Sequence, residues 1–398
     1  MSLRALRVEG HAPSLFASLM HFEVSFAIWV LLGALGPFIA ADLDLSPGAR
    51  GFVVAVPLLS AAVYRVLVGW LAGRYGPRRV GTWTMCAALV PLALGWGSSD
   101  SLGGVLAVGM MLGIAGASFA VALPLASSHY PAGSQGLVLG IAGAGNSGTI
   151  ITGLLAPRIA EHVGWHATLG LAMLPVLAAA FLFRVLARES PAPRTRTPLR
   201  SALAPLRGAD CRKACALYAV TFGGYVGFTS YLSVFLVDRF TISKVAAGTF
   251  TAAAAGAGSF ARPVGGWLAD RVGGARVLAG VYAVAALLAA SLAALGGLGV
   301  TVATFVLLLG SLGAGNGAVF QLIPLRFRDE LPLVTGIVGA AGGLGGFLLP
   351  SVMGSLREAT GSYRPGFLLF ASVVVAALLQ AHSIRLSWRV MEPAMGEV

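Results

Sequence analysis

Long apolar runs separated by short polar loops make up most of the chain. A helix needs roughly 20 mostly apolar residues to cross a hydrocarbon core about 30 Å thick, and cutting the sequence at Pro, Gly and charge clusters leaves twelve runs of about that length. Each run therefore predicts a transmembrane helix. The runs cover residues 14–41, 49–72, 80–97, 102–126, 135–157, 166–187, 213–237, 245–269, 276–296, 299–325, 332–355 and 364–387.

The composition also indicates a membrane protein. Of the 398 residues, 57% are hydrophobic and 11% are charged, whereas about 25% of the residues of a soluble domain are charged. The six histidines and three cysteines do not form a metal-ligand or disulfide pattern, so we predict neither a metal nor a cofactor. The net charge of +12 would suggest nucleic acid in a soluble protein. Here the basic residues lie mostly in loops between apolar runs, so no nucleic-acid partner is expected.

The basic residues predict the orientation, because Lys and Arg concentrate in the cytoplasmic loops of membrane proteins. With a cytoplasmic amino terminus, 19 of the 27 Lys and Arg residues fall on the cytoplasmic side, six fall on the other side, and two lie inside runs. We predict a multi-pass protein of the inner (cytoplasmic) membrane with both termini in the cytoplasm. The Pro- and Arg-rich stretch 188–213 would then be a cytoplasmic linker between a six-helix bundle at 1–187 and a second at 214–398.

An internal repeat supports the division into two bundles. At an offset of 197 residues, segment 65–76 (RVLVGWLAGRYG) matches segment 262–273 (RPVGGWLADRVG) at seven of twelve positions without a gap. Chance matches among Ala, Gly and Leu are common in such a chain, but a gap-free match that includes Trp and Arg is not. We predict an all-α integral membrane fold of twelve transmembrane helices in two pseudo-symmetric six-helix bundles.

Two arginines occupy equivalent positions deep in the second and eighth runs. Arg65 and Arg262 lie about 12 Å from the helix end that carries the repeat motif, at 1.5 Å per residue. A charge at that depth costs about 2.5–3.5 kcal/mol on insertion scales, so it needs an internal partner or a water-filled cavity. Glu23 is the one carboxylate well inside a run. The simplest missing counter-charge is an anionic substrate, and planar guanidinium groups favour a planar oxyanion such as nitrate, nitrite or a carboxylate.

Two other interpretations would make these arginines structural. Each long side chain could extend to the cytoplasmic interface and keep its charge in water. Alternatively, one arginine could form an ion pair with Glu23.

The second copy of the repeat resembles the loop motif of the major facilitator superfamily of transporters. The first copy keeps the arginine but has Gly73 where the motif has its acid, so a charge clamp at that helix end is not expected. The resemblance implies two halves that rock about a site near the bilayer midplane. The residues that carry this cytoplasmic loop motif are Gly266, Asp270, Arg271 and Gly273, with Arg74 in the first copy.

Two glycine-rich runs resemble the signatures of the nitrate/nitrite porter family. They read GAGNSG at 143–148 and GAAGGLGG at 339–346, and segments 218–228, 261–263 and 316–321 are similar to the same family. Small residues let membrane helices approach closely, which indicates either packing alone or a seam that moves. The glycines predicted for this packing and gating are Gly143, Gly145, Gly148, Gly342, Gly343 and Gly345.

This resemblance implies roles for individual residues. In the porter family a pair of arginines on the second and eighth helices binds the anion, and Arg65 and Arg262 match those positions. The resemblance also implies aromatic rings around the flat anion and a neutral donor beside it. The rings would be Phe119, Tyr218 and Phe222, and the donor would be Asn146.

Glu23 is the candidate for proton coupling. Desolvation in an apolar span favours the neutral form of a carboxyl group, which suits a group that takes up and releases a proton. The resemblance implies either proton-coupled nitrate uptake or nitrate/nitrite exchange, and an acid in the first helix favours uptake. A carboxylate that faces an aqueous vestibule is the alternative.

The resulting hypothesis is a monomeric secondary transporter in the lipid bilayer, with nitrate or nitrite and protons as its small partners, and not an enzyme. A drug exporter of the same superfamily would leave two positive charges facing a cationic substrate. A membrane-embedded enzyme would need a cluster of nucleophiles or ligands within the spans. A nitrate sensor would need an output domain, which a linker of this length does not provide.

Overall fold

The computed structural model describes residues 10–97, 100–130, 135–189, 194, 198–294, 296–327 and 331–387, and these residues form helices without a strand. Short 3-10 turns at Ala115–Ala117 and Ala144–Ser147 interrupt two of the spans. The α-helices are α1 (Ala12–Trp29), α2 (Leu31–Asp42), α3 (Pro47–Tyr75), α4 (Pro77–Gly97), α5 (Leu102–Leu112), α6 (Phe119–Ser128), α7 (Gln135–Gly143), α8 (Gly148–Leu171), α9 (Met173–Leu186), α10 (Ala209–Phe240), α11 (Lys244–Val272), α12 (Gly274–Leu292), α13 (Leu298–Arg326), α14 (Leu331–Thr360) and α15 (Arg364–Ser387).

The described helices group into the twelve predicted spans. Ten helical segments are long and apolar enough to cross a membrane. One of them, Ile141–Leu186, has 46 residues, so a straight helix would be about twice as long as the hydrocarbon core is thick. Gly164 divides this segment into two spans, because its φ of 81° and ψ of 161° are not helical. The twelfth span is α11, whose 29 residues suffice in length but include polar and charged positions that lower its hydropathy.

The internal repeat appears in the structure as two matching helices. Helices α3 and α11 each have 29 residues, and each begins after a serine whose side chain caps the first turn, Ser46 and Ser243. Each ends at a glycine with positive φ, 95° at Gly76 and 92° at Gly273. A residue with a Cβ rarely adopts that conformation, which explains why glycine occurs in both copies of the motif. The all-α fold with a pseudo-symmetric repeat that the sequence predicts is therefore confirmed.

The outer surface of the bundle is apolar, as expected for contact with lipid. Large side chains such as Phe181, Phe260 and Leu287 are 69%, 70% and 74% exposed. The predicted linker 188–213 falls partly outside the described residues. Within its described part, residues 199–207 form 3-10 turns and α10 already begins at Ala209. Residues 1–9 and 388–398, on which the predicted location of the two termini depends, also lie outside the described residues.

The first six and the last six spans contact each other closely at one end of the molecule. Arg50 of α3 lies 3.3 Å from Asp238 of α10, which also accepts a hydrogen bond from Arg357 of α14. Glu358 of α14 accepts a 2.7 Å hydrogen bond from the backbone N–H of Gly48, in the first turn of α3, where a negative charge is favourable. These bonds join the two halves at the end that the charge pattern predicts to lie outside the cell.

Candidate anion-binding site between the halves

Arg65 lies in the middle of α3 and is 3% exposed. Its Nε donates a 2.9 Å hydrogen bond to the carbonyl of Gly116, which belongs to the same half of the chain. Its Nη1 donates to the carbonyl of Gly339 on α14, which belongs to the other half. The side chain therefore points to the boundary between the halves and does not extend to the membrane interface.

The break between α5 and α6 explains why Gly116 can accept this bond. Residues 115–117 form a 3-10 turn, and carbonyl groups at helix breaks are available to side-chain donors. Gly116 also has no room for a side chain, because a Cβ would lie 2.5 Å from Trp29 Nε1 and 2.7 Å from the Ala61 methyl group. The local sequence thus brings a backbone acceptor close to the buried arginine.

Two aromatic rings surround the Arg65 guanidinium. Its Cζ lies 4.9 Å from the centroid of the Trp29 ring and 5.0 Å from that of Phe222, within the range of a cation–π interaction. The two rings are nearly parallel, with an interplanar angle of 11°. Trp29 is held by a 2.8 Å hydrogen bond from its Nε1 to the Pro57 carbonyl. Sequence reasoning missed Trp29, since one Trp among many apolar residues of the first span carries no distinguishing signal.

Arg262 is the less constrained of the two arginines. It is half-buried on α11, and its Cζ lies 5.5 Å from the centroid of the Phe320 ring on α13. Its Nη1 is buried and has no hydrogen-bond partner among the described residues. The two guanidinium groups are close enough to repel each other, and within the described chain neither has a carboxylate within 4.0 Å. The pair is therefore an uncompensated positive centre.

The predicted aromatic residues lie around this centre. Tyr218 stacks on Phe222 with centroids 5.0 Å apart and an interplanar angle of 10°. The Phe320 ring packs edge-on against Tyr218 at 5.0 Å and contacts Phe119 at 5.6 Å. Phe320 was not a candidate from the sequence, but it joins Phe119 of the first half to Arg262 of the second.

Two buried asparagines have an unpartnered side-chain oxygen. Asn146 is 2% exposed and Asn316 is 1% exposed, and Oδ1 of each has no partner within the described parts of the chain. Buried amides are nearly always hydrogen-bonded, so such groups indicate a missing ligand or water. Asn316 precedes Gly317, which packs against the backbone of Arg262, whereas Asn146 lies in the 3-10 turn of the fifth span. The sequence predicted Asn146 and missed Asn316 as a site residue.

Glu23 lies on α1, and no arginine of the described residues forms an ion pair with it. Its Oε1 accepts a 2.9 Å hydrogen bond from Ser147 Oγ, and the side chain is half-buried. His21, two residues earlier, faces the opposite side of the helix, because successive residues are about 100° apart. The His21 ring contacts Phe183 at 4.7 Å and its Nε2 lies 3.3 Å from the Gly81 carbonyl. His21 is therefore not positioned to assist Glu23.

Most of the predicted glycines are contact points between helices. A Cβ on Gly145 would lie 2.8 Å from the Phe22 ring, and Gly148 packs against the backbone of Glu23. In α14, Gly343 packs against α3 of the other half, Gly345 against the backbone of α10, and Gly342 against the rings of Tyr218 and Phe222. Gly143 is different, because outside its own helix no described heavy atom lies within 4 Å of the position that its Cβ would occupy.

The cytoplasmic loop motif lies at the ends of α3 and α11, away from the arginine pair. The guanidinium groups of Arg271 and Arg74 lie 4.0 Å and 5.6 Å from the centroids of the nearby Trp267 and Trp70 rings. A Cβ on Gly266 would lie 3.8 Å from the Gly317 carbonyl oxygen, in ordinary contact. Asp270 is exposed, and the described residues include no Lys or Arg within 4.0 Å of it.

The chain matches the family model described as Major Facilitator Superfamily over residues 17–328. It is 34% identical over 356 residues to the nitrite extrusion protein of Bacillus subtilis (strain 168), with 89% of each chain covered. It is 33% identical over 378 residues to the probable nitrate/nitrite transporter NarK2 of Mycobacterium tuberculosis, covering 93% of this chain and 95% of that one. It is 30% identical over 402 residues to the probable nitrate/nitrite antiporter NarK1 of Thermus thermophilus, covering 92% of this chain and 90% of that one.

Solved structures share the fold. The human organic anion transporter MFSD10 (TETRAN) is 14% identical with a TM-score of 0.73 and covers 93% of this chain and 99% of its own. A bacterial homologue of the human lysosomal transporter Spinster, in an inward-facing and occupied conformation, is 16% identical with a TM-score of 0.69. The match covers 96% of this chain and 98% of that one. At these identities the likeness concerns the fold alone. The family model and the relatives, which match most of the chain, establish that it is a multi-pass membrane transporter and that it belongs to the nitrate/nitrite porter family of the major facilitator superfamily.

Proposed function

We propose that the protein is a secondary transporter that moves nitrate, nitrite or both across the cytoplasmic membrane by alternating access, with Arg65 and Arg262 as its anion site. One observation carries the proposal. Two guanidinium groups lie near each other at the boundary between the halves, and the described chain supplies no carboxylate within 4.0 Å of either. A buried charge without a counter-ion is costly, so an anion entering this site would be strongly favoured.

The shape of the site supports a small, flat anion. A guanidinium group is planar and presents its donors in a fork that matches two oxygens of a planar oxyanion. The planes of the Tyr218 and Phe222 rings differ by 10°, and those of the Phe222 and Trp29 rings differ by 11°. Because the Tyr218 and Phe222 rings stack on each other with centroids 5.0 Å apart, they form a flat wall beside the Arg65 guanidinium, which suits a flat solute. The names of the relatives, which refer to nitrate and nitrite, agree with this choice.

The Arg65 contacts suggest how binding and movement are linked. Nη1 of Arg65 donates to the Gly339 carbonyl across the boundary. An anion is a stronger acceptor than a neutral carbonyl, because hydrogen bonds between ionised groups are roughly twice as strong. A bound anion would therefore replace Gly339 as the partner of Arg65 and remove a bond between the halves. The unpartnered Nη1 of Arg262 would hold the same anion from the other half.

A substrate panel in proteoliposomes tests the proposal. We expect uptake of labelled nitrate to be inhibited by unlabelled nitrate and nitrite, weakly by formate, and not by chloride or sulfate at the same concentration. The physical reason is the match between planar donors and planar oxyanions. Protein-free liposomes provide the background. If chloride competed as well as nitrate, the proposal of a site for planar anions would be wrong. If none of the anions were transported, the proposed transport function would be wrong.

For energy coupling, we propose proton-coupled uptake with Glu23 as the proton carrier, and nitrate/nitrite exchange as the second candidate. The environment of Glu23 supports proton-coupled uptake. Glu23 is half-buried on α1 and contacts the glycine-rich turn, where the Ser147 hydroxyl is its one described hydrogen-bond partner. A neutral partner allows a carboxyl group to gain or lose a proton without breaking an ion pair. The relative named as an antiporter supports the second.

The effect of Glu23→Gln separates these two modes. We expect acidification of the outer buffer to accelerate nitrate entry in the wild type, and Glu23→Gln to abolish this acceleration while nitrate/nitrite exchange continues, because glutamine cannot carry a proton. Glu161→Gln, an exposed carboxylate on α8, is the matched control and should keep the acceleration. A wild type that does not respond to the pH gradient would exclude symport and leave exchange.

The protein has a proposed location, orientation and oligomeric state. The proposed location is the inner membrane, with both termini and linker 188–213 in the cytoplasm, and the proposed unit is a monomer that acts as a carrier and not as an enzyme. The distribution of Lys and Arg supports the orientation, because 19 of 27 fall on one side.

A further inference from the structure

A second positively charged site lies at the end of the first half, outside the anion site. It is a cavity of about 630 Å³ between the start of α4, the end of α9 and two residues that follow α9, Glu189 and Arg194. Four arginines and one carboxylate line it, and we call it the arginine cavity. The lining charged residues are Arg78, Arg79, Arg184, Arg194 and Glu189.

The arginines of this cavity are not neutralised by the described protein. No carboxylate of the described residues lies within 4.0 Å of any of their guanidinium groups. Glu189 instead accepts a 3.4 Å hydrogen bond from the backbone N–H of Arg78 in the first turn of α4. Arg78 donates from Nη2 to the Arg184 carbonyl at 2.7 Å, while its Nε is buried without a described partner. The cavity therefore holds fixed donors and excess positive charge, as an anion site requires.

The cavity continues into the lipid-facing surface. Trp83, which lines it, is 51% exposed and lies 5.7 Å from the ring of Tyr75. On α9, Phe181 and Val185 flank Arg184 and are 69% and 61% exposed. Tryptophan and tyrosine are typical of the membrane–water interface. An anion in the cavity could therefore carry apolar chains that lie along α9.

The repeat indicates that this cluster is not required by the scaffold. At the offset of 197 residues, Arg79 corresponds to Arg276, but Arg78 corresponds to Ala275, Trp83 to Gly280 and Arg184 to Ala381. The second half thus forms the same helices without the cluster. A preference for positive charge on one side of the membrane explains arginines at this end, but it does not explain a walled cavity that gathers four of them.

We propose that the arginine cavity binds the phosphate-bearing head group of an anionic phospholipid. Basic pockets between transmembrane helices are suited to such head groups. The phosphate accepts hydrogen bonds from Arg78 and Arg184, and the acyl chains lie against Phe181 and Val185. The site depends on the first half alone and is independent of the nitrate site.

Native mass spectrometry of the purified full-length protein tests this proposal. We expect phosphatidylglycerol adducts to survive detergent removal, phosphatidylcholine with the same chains to give at least tenfold fewer, and millimolar inorganic phosphate not to displace the lipid. Arg78→Gln combined with Arg184→Gln should reduce phosphatidylglycerol adducts at least tenfold. Arg276→Gln, at the equivalent position of the other half, should leave them unchanged.

Each contrary outcome has a definite meaning. If the double variant bound phosphatidylglycerol like the wild type, or if Arg276→Gln lost it equally, the cavity would not be the site. If inorganic phosphate displaced the lipid at comparable concentration, the cavity would be a free-anion site and the lipid proposal would be wrong. Should the double variant not fold, Arg184→Gln alone decides the question, because no described hydrogen bond or ion pair involves its guanidinium group.

Discussion

Arg65→Lys and Arg262→Lys are both expected to impair nitrate uptake strongly, and for the same reason. Lysine keeps the positive charge and loses the planar fork of donors. A hydrogen bond to a charged group contributes about 1.5–3 kcal/mol, which corresponds to a factor of roughly 10–150 in affinity. Labelled nitrate uptake in proteoliposomes should therefore fall by at least roughly tenfold in each variant.

The two variants should differ in stability. Arg65 holds the Gly116 and Gly339 carbonyls and contacts two rings, so Arg65→Lys should also lower the thermal unfolding temperature of the protein without nitrate. Arg262 contacts the Phe320 ring, and its Nη1 has no hydrogen-bond partner among the described residues. Arg262→Lys should therefore lower that temperature less than Arg65→Lys does, and it should remove the stabilisation that added nitrate gives.

Arg276→Lys is the matched control for both. Arg276 donates from Nη1 to the Val272 carbonyl and is exposed, so its replacement should change neither uptake nor unfolding. Undiminished uptake in both Arg65→Lys and Arg262→Lys would contradict the anion site.

Gly342→Ala is expected to stop transport through its effect on the aromatic rings. The added methyl group would lie 2.8 Å from ring carbons of both Tyr218 and Phe222. These rings stack on each other and Phe222 also stacks on Trp29, so they cannot move aside without changing the surroundings of Arg65. Forcing an extra carbon into a packed site costs about 1–3 kcal/mol, and we expect at least roughly a tenfold loss of nitrate uptake.

Helix α14 supplies its own controls for this variant. Outside its own helix, no described heavy atom lies within 4 Å of a Cβ on Gly336. A Cβ on Gly339 would lie 3.8 Å from Arg65 Cδ, in ordinary contact. Gly336→Ala and Gly339→Ala should therefore transport nearly as the wild type does. Combining Gly342→Ala with Phe222→Leu should recover only part of the thermal stability, because the close contact with Tyr218 remains, and it should not restore uptake. Normal uptake by Gly342→Ala would mean that the rings do not determine the geometry of the site.

The sequence predicted the scaffold well because the signals that determine it are local and repeated. Each apolar run became one span, and the matched segments 65–76 and 262–273 became the ends of two helices of equal length. Counting residues along a helix of known rise predicted that Arg65 lies far from the helix ends, and its side chain is buried in the middle of α3. Tyr218 and Phe222 were assigned by family resemblance, and both pack near the arginines.

What the sequence did not predict depends on the folded backbone. Counting side-chain charges left Arg65 without any partner, yet two backbone carbonyls solvate it. Those carbonyls depend on a helix break at 115–117 and on the approach of α14, neither of which has a local signature. Trp29, Phe320 and Asn316 were missed for a related reason, because each is an ordinary residue of an apolar span until another helix brings it to the arginines. For Gly143, composition predicted a close contact that the fold does not make.

The two carbonyls that hold Arg65 have one further consequence. Main-chain oxygens are present whichever amino acid occupies a position, so a substitution cannot delete these acceptors as it could delete a carboxylate. A saturation screen around Arg65 should accordingly identify no side chain whose carboxylate or amide oxygen anchors it. The sensitive positions should be small residues such as Gly116, which leave space for Arg65, and the rings of Trp29 and Phe222, which contact it. The hydrogen bonds that anchor this charge are therefore encoded in the path of the backbone, and they need no polar side chain.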